Sequence, residues 1–190
     1  MSSVEPNPKP AVPFWASVAA DIRAHVPERS RPSTITGWLP QAARVALASA
    51  GFRAVLNYRI AHTARTRLGV IGKPISKACF WFGRHWYGCS IASSACLHGG
   101  LVLPHPQGIV IGAESVVGPN SWIFQNVTLG GVSKTTGMPR IGSGARLFAG
   151  AVLVGPVIVG DDVVVGPNAV VTQSVPSGSL VRTSKPTIMP

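Results

Sequence analysis

The chain has 190 residues, of which 46% are apolar and only 12% are charged, a balance that excludes a disordered protein. It holds 21 Gly and 17 Pro without a strict three-residue period, which excludes collagen and indicates many turns. The net charge is +11, and the basic excess lies in the first half, since residues 1–90 hold twelve Lys and Arg against three acids.

The first half predicts a polar tail followed by helices. Residues 1–12 are polar and rich in proline, and we expect them to be disordered. Apolar residues then recur at helical spacing over 14–26, over 40–67 and over 74–86. We therefore expect a disordered tail over 1–12 and a helical region over 13–89.

From Ile91 onward the sequence pattern changes, because an aliphatic residue recurs at every sixth position. The series slips by two residues after Leu103 and is interrupted by a longer, loop-like segment after Leu129. A period of six suits short strands stacked as a parallel β-helix, in which each repeat turns one aliphatic side chain inward. We expect this mainly β domain over 90–178 and a tail over 179–190. The aliphatic positions are Ile91, Leu97, Leu103, Ile111, Val117, Ile123, Leu129, Ile141, Leu147, Leu153, Val159, Val165 and Val171.

The slip contains His105, which is flanked by Pro104 and Pro106. A break in a regular coil can turn a side chain outward, and the two prolines restrict the backbone on either side. Histidine is the usual general base near neutral pH. The sequence therefore leaves two interpretations of His105, a catalytic base and a surface or packed histidine.

Residues 88–180 resemble the catalytic domain of serine O-acetyltransferases. The resemblance rests on His105 with Gly108–Gly112, on Gln125–Gly131, on Pro139–Gly142 and on Ala149–Ala151 with Ile158–Pro176. Upstream, Asp21–Arg23 and Tyr58–His62 resemble the helical part of the same family. The resemblance implies a left-handed β-helix that assembles as a homotrimer, with acetyl-CoA bound in the groove between neighbouring subunits. Pairing of trimers into a hexamer is left open.

The resemblance also implies roles for individual residues. His105 would take the proton of an acceptor hydroxyl during direct acetyl transfer. Gly130, Gly131, Val132, Ala149 and Pro167 would contact acetyl-CoA, and Lys185 is a candidate for its phosphates. Further phosphate candidates are Lys134, Arg140, Arg146 and Arg182. No metal is expected, and the three cysteines lack metal-ligand spacing.

Several departures from the family concern the acceptor. Ser90 and Pro104 stand where serine enzymes carry Asp, and Gly137–Met138 replace an Arg-His pair before Pro139. Without these charges a free amino acid would be held less well. We therefore expect the acceptor to be a sugar hydroxyl in polysaccharide biosynthesis, with L-serine in cysteine biosynthesis as the alternative. A non-catalytic β-helix scaffold is the rival from another class.

The remaining expectations concern location and partners. The N-terminus does not resemble a signal peptide, and the chain has no run of about 18 apolar residues, so we expect a cytoplasmic enzyme. We expect the basic helices to pack on the base of the coil and to mediate contacts between subunits. As an alternative, the basic, aromatic stretch over 80–87 would contact a membrane surface, which would suit a lipid-linked glycan. No nucleic-acid-binding motif accompanies the positive charge, so no nucleic-acid partner is expected.

Overall fold

The computed structural model describes residues 13–132 and 137–183. The predicted tail over 1–12 and the candidate residues Lys134 and Lys185 lie outside these ranges. Four α-helices precede the coil: α1 (Phe14–His25), α2 (Ile35–Ala48), α3 (Ala50–Arg67) and α4 (Gly69–Trp86). A short 3₁₀ helix, Glu28–Ser30, connects α1 to the segment before α2.

The prediction of one long helix over 40–67 is wrong, because the structure divides this stretch into two helices at Ser49. Ser49 has an extended backbone, and its hydroxyl accepts a hydrogen bond from the Phe52 amide at 3.0 Å, which makes it the N-cap of α3. The apolar stripe runs unbroken across this cap, so the division was not visible in the hydrophobic pattern. Helix α4 begins at Gly69, earlier than predicted, and contains Pro74.

The described residues after the helices form thirteen short strands in three parallel sheets. The first sheet has the order β1-β3-β6-β9-β12, the second β10-β7-β4-β2 and the third β13-β11-β8-β5. Partners in each sheet are separated by one full turn of chain, as in a β-helix. The strands are β1 (Ser90–Ile91), β2 (Cys96–Leu97), β3 (Val110–Ile111), β4 (Val116–Val117), β5 (Trp122–Ile123), β6 (Thr128–Gly130), β7 (Arg140–Ile141), β8 (Arg146–Leu147), β9 (Val152–Val154), β10 (Ile158–Val159), β11 (Val164–Val165), β12 (Val170–Val171) and β13 (Leu180–Val181).

The interior of the coil follows the six-residue period. All thirteen aliphatic positions predicted from Ile91 to Val171 are buried, which confirms the predicted register. The small or β-branched residues four positions later, such as Ala145 and Ala151, are fully enclosed as well. The last strand, β13, lies within the predicted C-terminal tail. It pairs with β11, and the amide of Val164 donates to the carbonyl of Ser179 at 2.9 Å. The domain boundaries themselves stay predictions.

A buried ion pair attaches the helices to the coil. The Asp21 carboxylate on α1 accepts from Nε and Nη2 of Arg59 on α3, at 3.0 and 3.2 Å. The same carboxylate accepts from the backbone amides of Gly100 and Leu101 in the coil, at 2.8 and 3.0 Å. Helix α1, helix α3 and the first turn of the coil therefore meet at one carboxylate.

Tyr58, beside Arg59, adds a second attachment. Its hydroxyl donates to the Ala95 carbonyl at 2.7 Å and accepts from the Leu97 amide at 3.2 Å. Burial raises the pKa of Tyr58 to about 12, so the hydroxyl keeps its proton throughout the neutral range. Both contacts fix the position of α3 on the first turn of the coil.

Candidate active site

His105 lies on the outside of the coil, where two residues are added to the regular six. Leu103 and Ile109, on either side of the added residues, are both fully buried, so the ends of the segment are held in the core. Pro106 is buried, Pro104 is half-buried, and the side chain of His105 is exposed. The slip therefore presents one imidazole to the surroundings on a backbone fixed at both ends.

The turns before and after this segment both hold it by backbone hydrogen bonds. The Asn126 amide donates to the Gln107 carbonyl at 3.0 Å, and the Gly108 amide donates to the Gly88 carbonyl at 2.8 Å. Gly108 has a φ of +72°, and a Cβ there would lie 1.9 Å from Oδ1 of Asn126. Glycine is therefore required at 108, both for the left-handed backbone and for the close stacking of the two turns.

The same corner of the coil repeats down the molecule. The Gly150 amide donates to the Gln125 carbonyl at 3.0 Å, and the Asn168 amide donates to the Ala149 carbonyl at 2.9 Å. His105, Ala149 and Pro167 therefore lie along one corner between the third and first sheets, with about 4.8 Å for each successive coil. We name this line of turns the His105 corner. It brings the candidate base and two of the predicted cofactor positions together.

The other predicted cofactor positions lie elsewhere in the protomer. Gly130, Gly131 and Val132 stand at the opposite end of strand β6, across the width of the first sheet from the His105 corner. Val132 is 74% exposed, and the Gly130 carbonyl accepts from the Gly155 amide at 2.9 Å. A single protomer therefore does not gather all the predicted contacts at one place.

The candidate phosphate ligands are also spread over the coil. Arg140 belongs to β7 of the second sheet, and Arg146 belongs to β8 of the third sheet. Arg182 directly follows β13 of the third sheet and is exposed. Among the arginines of the described coil, Arg146 and Arg182 share a sheet that borders the His105 corner.

A cleft of about 650 Å³ opens between His105 and the helices. One wall is the segment over 104–107 of the coil. The other wall comes from the end of α1, the 3₁₀ helix, α2 and the start of α3. The polar side chains of this helical wall include those of His25, Arg29, Gln41, Arg44 and Ser49.

The cleft is basic. None of the described residues that line the cleft is Asp or Glu. Arg29 and Arg44 both line it, and both side chains are exposed. Nδ1 of His25 donates to the Asp21 carbonyl, 2.7 Å away, while its Nε2 is buried and has no hydrogen-bond partner in the described part of the chain. An anion or a hydroxyl could therefore find donors here, whereas an ammonium group would find no carboxylate.

The structure locates the departures noted in the sequence. Ser90 is half-buried in strand β1, and Pro104 lines the cleft beside His105. Within residues 13–132 and 137–183, neither ring nitrogen of His105 has a hydrogen-bond partner. No group of three or more His, Cys, Asp or Glu in these ranges is placed to hold a metal ion.

Helix α3 rests against the backbone of the His105 segment through Gly51. A Cβ on Gly51 would lie 1.7 Å from the carbonyl oxygen of Leu103. We expect Gly51→Ala to lower the free energy of unfolding by about 3 kcal/mol, because backbone must move to admit the methyl group. Denaturant unfolding measures this, with Gly130→Ala as the control, since its nearest neighbour would lie at 3.7 Å. Equal stabilities for the two variants would contradict the tight contact.

Proteins of known sequence and structure are similar to this chain. The family described as Bacterial transferase hexapeptide (six repeats) matches residues 138–173. The serine acetyltransferase of Neisseria gonorrhoeae, solved in complex with serine, is 30% identical with a TM-score of 0.73, and the match covers 91% of this chain and 68% of that one. The chain belongs to the serine O-acetyltransferase-like family of hexapeptide-repeat acyltransferases. The family predicted from the sequence and its left-handed β-helix are thereby confirmed.

Two further serine acetyltransferases are similar to this chain. The serine acetyltransferase of Staphylococcus aureus is 36% identical over 134 residues, which are 70% of this chain and 62% of that protein. A serine acetyltransferase solved in complex with CoA is 29% identical with a TM-score of 0.71, covering 86% of this chain and 64% of that one. The chain spans 34% to 62% of the length of the curated relatives first matched.

The cleft residues of the helical wall were missed by the sequence analysis. Arg29 and Arg44 lie more than 60 residues before His105 in the chain, and only the packing of the helices on the coil brings them near it. The concentration of basic residues before residue 90 was a signal, but it did not single out these two. His25, with its unpartnered ring nitrogen, gave no sequence signal at all.

Proposed function

We propose that the chain transfers an acetyl group from acetyl-CoA to a hydroxyl, with His105 as the general base. A ring nitrogen of His105 takes the proton of the hydroxyl while the oxygen attacks the thioester carbonyl. The tetrahedral intermediate then collapses, the carbon–sulfur bond breaks, and the imidazolium returns the proton to the departing CoA thiolate. The observation that carries this proposal is the exposed imidazole of His105 at the meeting point of the cleft and the corner.

In this proposal acetyl-CoA lies along the His105 corner. Ala149 and Pro167 lie about two and three coils from His105, a span that suits the extended pantetheine arm. Gly130, Gly131 and Val132 stand at the other edge of the first sheet, so we propose that a neighbouring subunit supplies them in a homotrimer. Lys185 is proposed to contact the phosphates. The family relative solved in complex with CoA supports CoA as the ligand.

L-serine is the acceptor that the relatives support, since one of them is solved with serine. Arg29 and Arg44 could bind its carboxylate. We propose L-serine as the first candidate acceptor, with its O-acetylation taking place in the cytoplasm.

A sugar hydroxyl is the second candidate, and the charge of the cleft favours it. Serine brings an ammonium group, for which the described lining offers no carboxylate. An acidic sugar brings a hydroxyl and an anionic group without that ammonium. Ser90 and Pro104, which replace the acids of serine enzymes, support the same acceptor.

Release of free thiol from acetyl-CoA tests the proposal and separates the acceptors. The enzyme is offered L-serine, a neutral hexose glycan or a hexuronate, each over a range of concentrations. Turnover with any of them supports acetyl transfer, and the highest kcat/KM identifies the acceptor class. No thiol release with any acceptor, together with no thermal shift by acetyl-CoA, would favour the scaffold instead.

Arg44 tests the role of the cleft in acceptor binding. We expect Arg44→Gln to raise the KM for an anionic acceptor about tenfold, because a charge-assisted hydrogen bond is lost. The KM for acetyl-CoA should stay unchanged, since its proposed path follows the corner. Arg23→Gln, an exposed arginine of α1 outside the cleft, is the control. A change in the acetyl-CoA KM alone would mean that Arg44 serves the cofactor.

A further inference from the structure

Helix α4 packs with its small residues inward. Gly72, Ser76 and Gly83 are its buried residues, and they recur along the side that faces α3. A Cβ on Gly72 would lie 1.8 Å from the Ala64 carbonyl oxygen of α3, so the two backbones approach closely. The close approach leaves no space on this side for large side chains.

The large apolar side chains of α4 consequently point outward. Val70 is 82% exposed, Ile71 71%, Trp81 62% and Trp86 75%. Helical periodicity places these four, with Phe82, on one sector of about 160°. We name these five residues the α4 face. An ordinary surface helix buries such a sector against the core, so an exposed one marks an interaction surface.

Cations border the α4 face. Lys73, Lys77 and Arg84 are exposed and lie next to it on the helix. Lys73 and Lys77, with Arg65 of α3, also line a recess of about 380 Å³ that includes the hydroxyl-bearing Ser93. Ammonium, guanidinium and hydroxyl donors around one recess are suited to a phosphate group.

The charge of this region selects the kind of partner. Every charged residue between Arg29 and Ala113 is a lysine or arginine. A second copy of the α4 face would therefore bring cations against cations, whereas a negatively charged surface complements them. Tryptophans beside lysines and arginines, on one side of an amphipathic helix, are the features of helices that lie in the lipid interface.

We propose that the α4 face docks the protein on an anionic lipid bilayer. Trp81, Trp86 and their apolar neighbours enter the headgroup region, and the recess receives a lipid phosphate. The helix lies on the bilayer, and none of the helices in the described ranges is long and apolar enough to span one. This docking is independent of the acetyl transfer proposed above.

Vesicle flotation of the full chain tests the proposal. We expect the protein to float with vesicles of phosphatidylcholine and phosphatidylglycerol, and not with phosphatidylcholine alone. Trp81→Ala/Trp86→Ala and Lys73→Gln/Lys77→Gln should each weaken binding at least tenfold. Trp15→Ala removes a tryptophan that is 77% exposed on α1, and Arg23→Gln/Arg31→Gln removes two charges elsewhere, so both controls should bind normally.

Three results would overturn the proposal. The first is no binding to the anionic vesicles, and the second is equal binding of the α4 variants and the controls. The third is a smaller oligomer for Trp81→Ala/Trp86→Ala in light scattering without vesicle binding by the parent, which would assign the α4 face to contacts between copies. Denaturant unfolding of the same variants shows that each one is folded.

Discussion

Replacement of His105 by alanine is expected to lower kcat for acetyl transfer by about 10²- to 10⁴-fold, the usual contribution of a positioned general base. The side chain is exposed and makes no hydrogen bond within the described residues, so its removal should leave the free energy of unfolding nearly unchanged. Acetyl-CoA should still bind, because its other proposed contacts remain. Thiol release, denaturant unfolding and a thermal melt with acetyl-CoA measure these three quantities.

The control for this substitution is His85→Ala. His85 is an exposed histidine on α4, outside the cleft and the corner, and its loss should leave thiol release in solution at the parental rate. Retention of more than a tenth of the activity by His105→Ala would contradict the assignment of the base. A loss of acetyl-CoA binding in the same variant would show a role in cofactor binding.

Removal of the Asp21 carboxylate has the largest expected effect on stability. Asp21→Ala should lower the free energy of unfolding by about 3–5 kcal/mol, because the buried guanidinium of Arg59 loses its counter-charge. Both side chains are nearly inaccessible, at 1% and 6%. The backbone amides of Gly100 and Leu101 lose their acceptor in the same step. Denaturant unfolding measures the loss.

The exposed pair between Glu28 and Arg31 provides the comparison. Their side chains are 88% and 35% exposed, so Glu28→Ala should change stability by no more than about 0.5 kcal/mol. Arg59→Ala should resemble Asp21→Ala, and the double variant should lose less than the sum of the two. A loss below about 1 kcal/mol for Asp21→Ala would contradict the view that this ion pair holds the helices on the coil.

The sequence predicted the coil well because its core obeys a strict local rule. Each aliphatic residue at the sixth position turns inward, and the slip after Leu103 is visible as a break in that count. The line through His105, Ala149 and Pro167 was not visible as such, although its members were individually predicted. This line forms because the equivalent turns of successive coils stack on one another, and a count of residues along the chain does not reveal that stacking.

The helices were predicted less well because their packing breaks the usual rule. A hydrophobic pattern assigns aromatic residues to the core, yet α4 buries Gly72 and exposes Trp81 and Trp86. The apolar stripe through α2 and α3 concealed the cap at Ser49. The arginines of the cleft are distant from His105 in the chain. They lie on the 3₁₀ helix and on α2, between the helices α1 and α3 that the ion pair of Asp21 with Arg59 joins.

A crystal structure with CoA bound tests most directly whether the corner delivers a thioester to His105. We expect the CoA sulfur to lie within about 4 Å of the imidazole, close to the distance of reacting groups. The pantetheine should pass Ala149 and Pro167. A CoA molecule along the second sheet, or a sulfur atom far from the imidazole, would contradict the proposed mechanism.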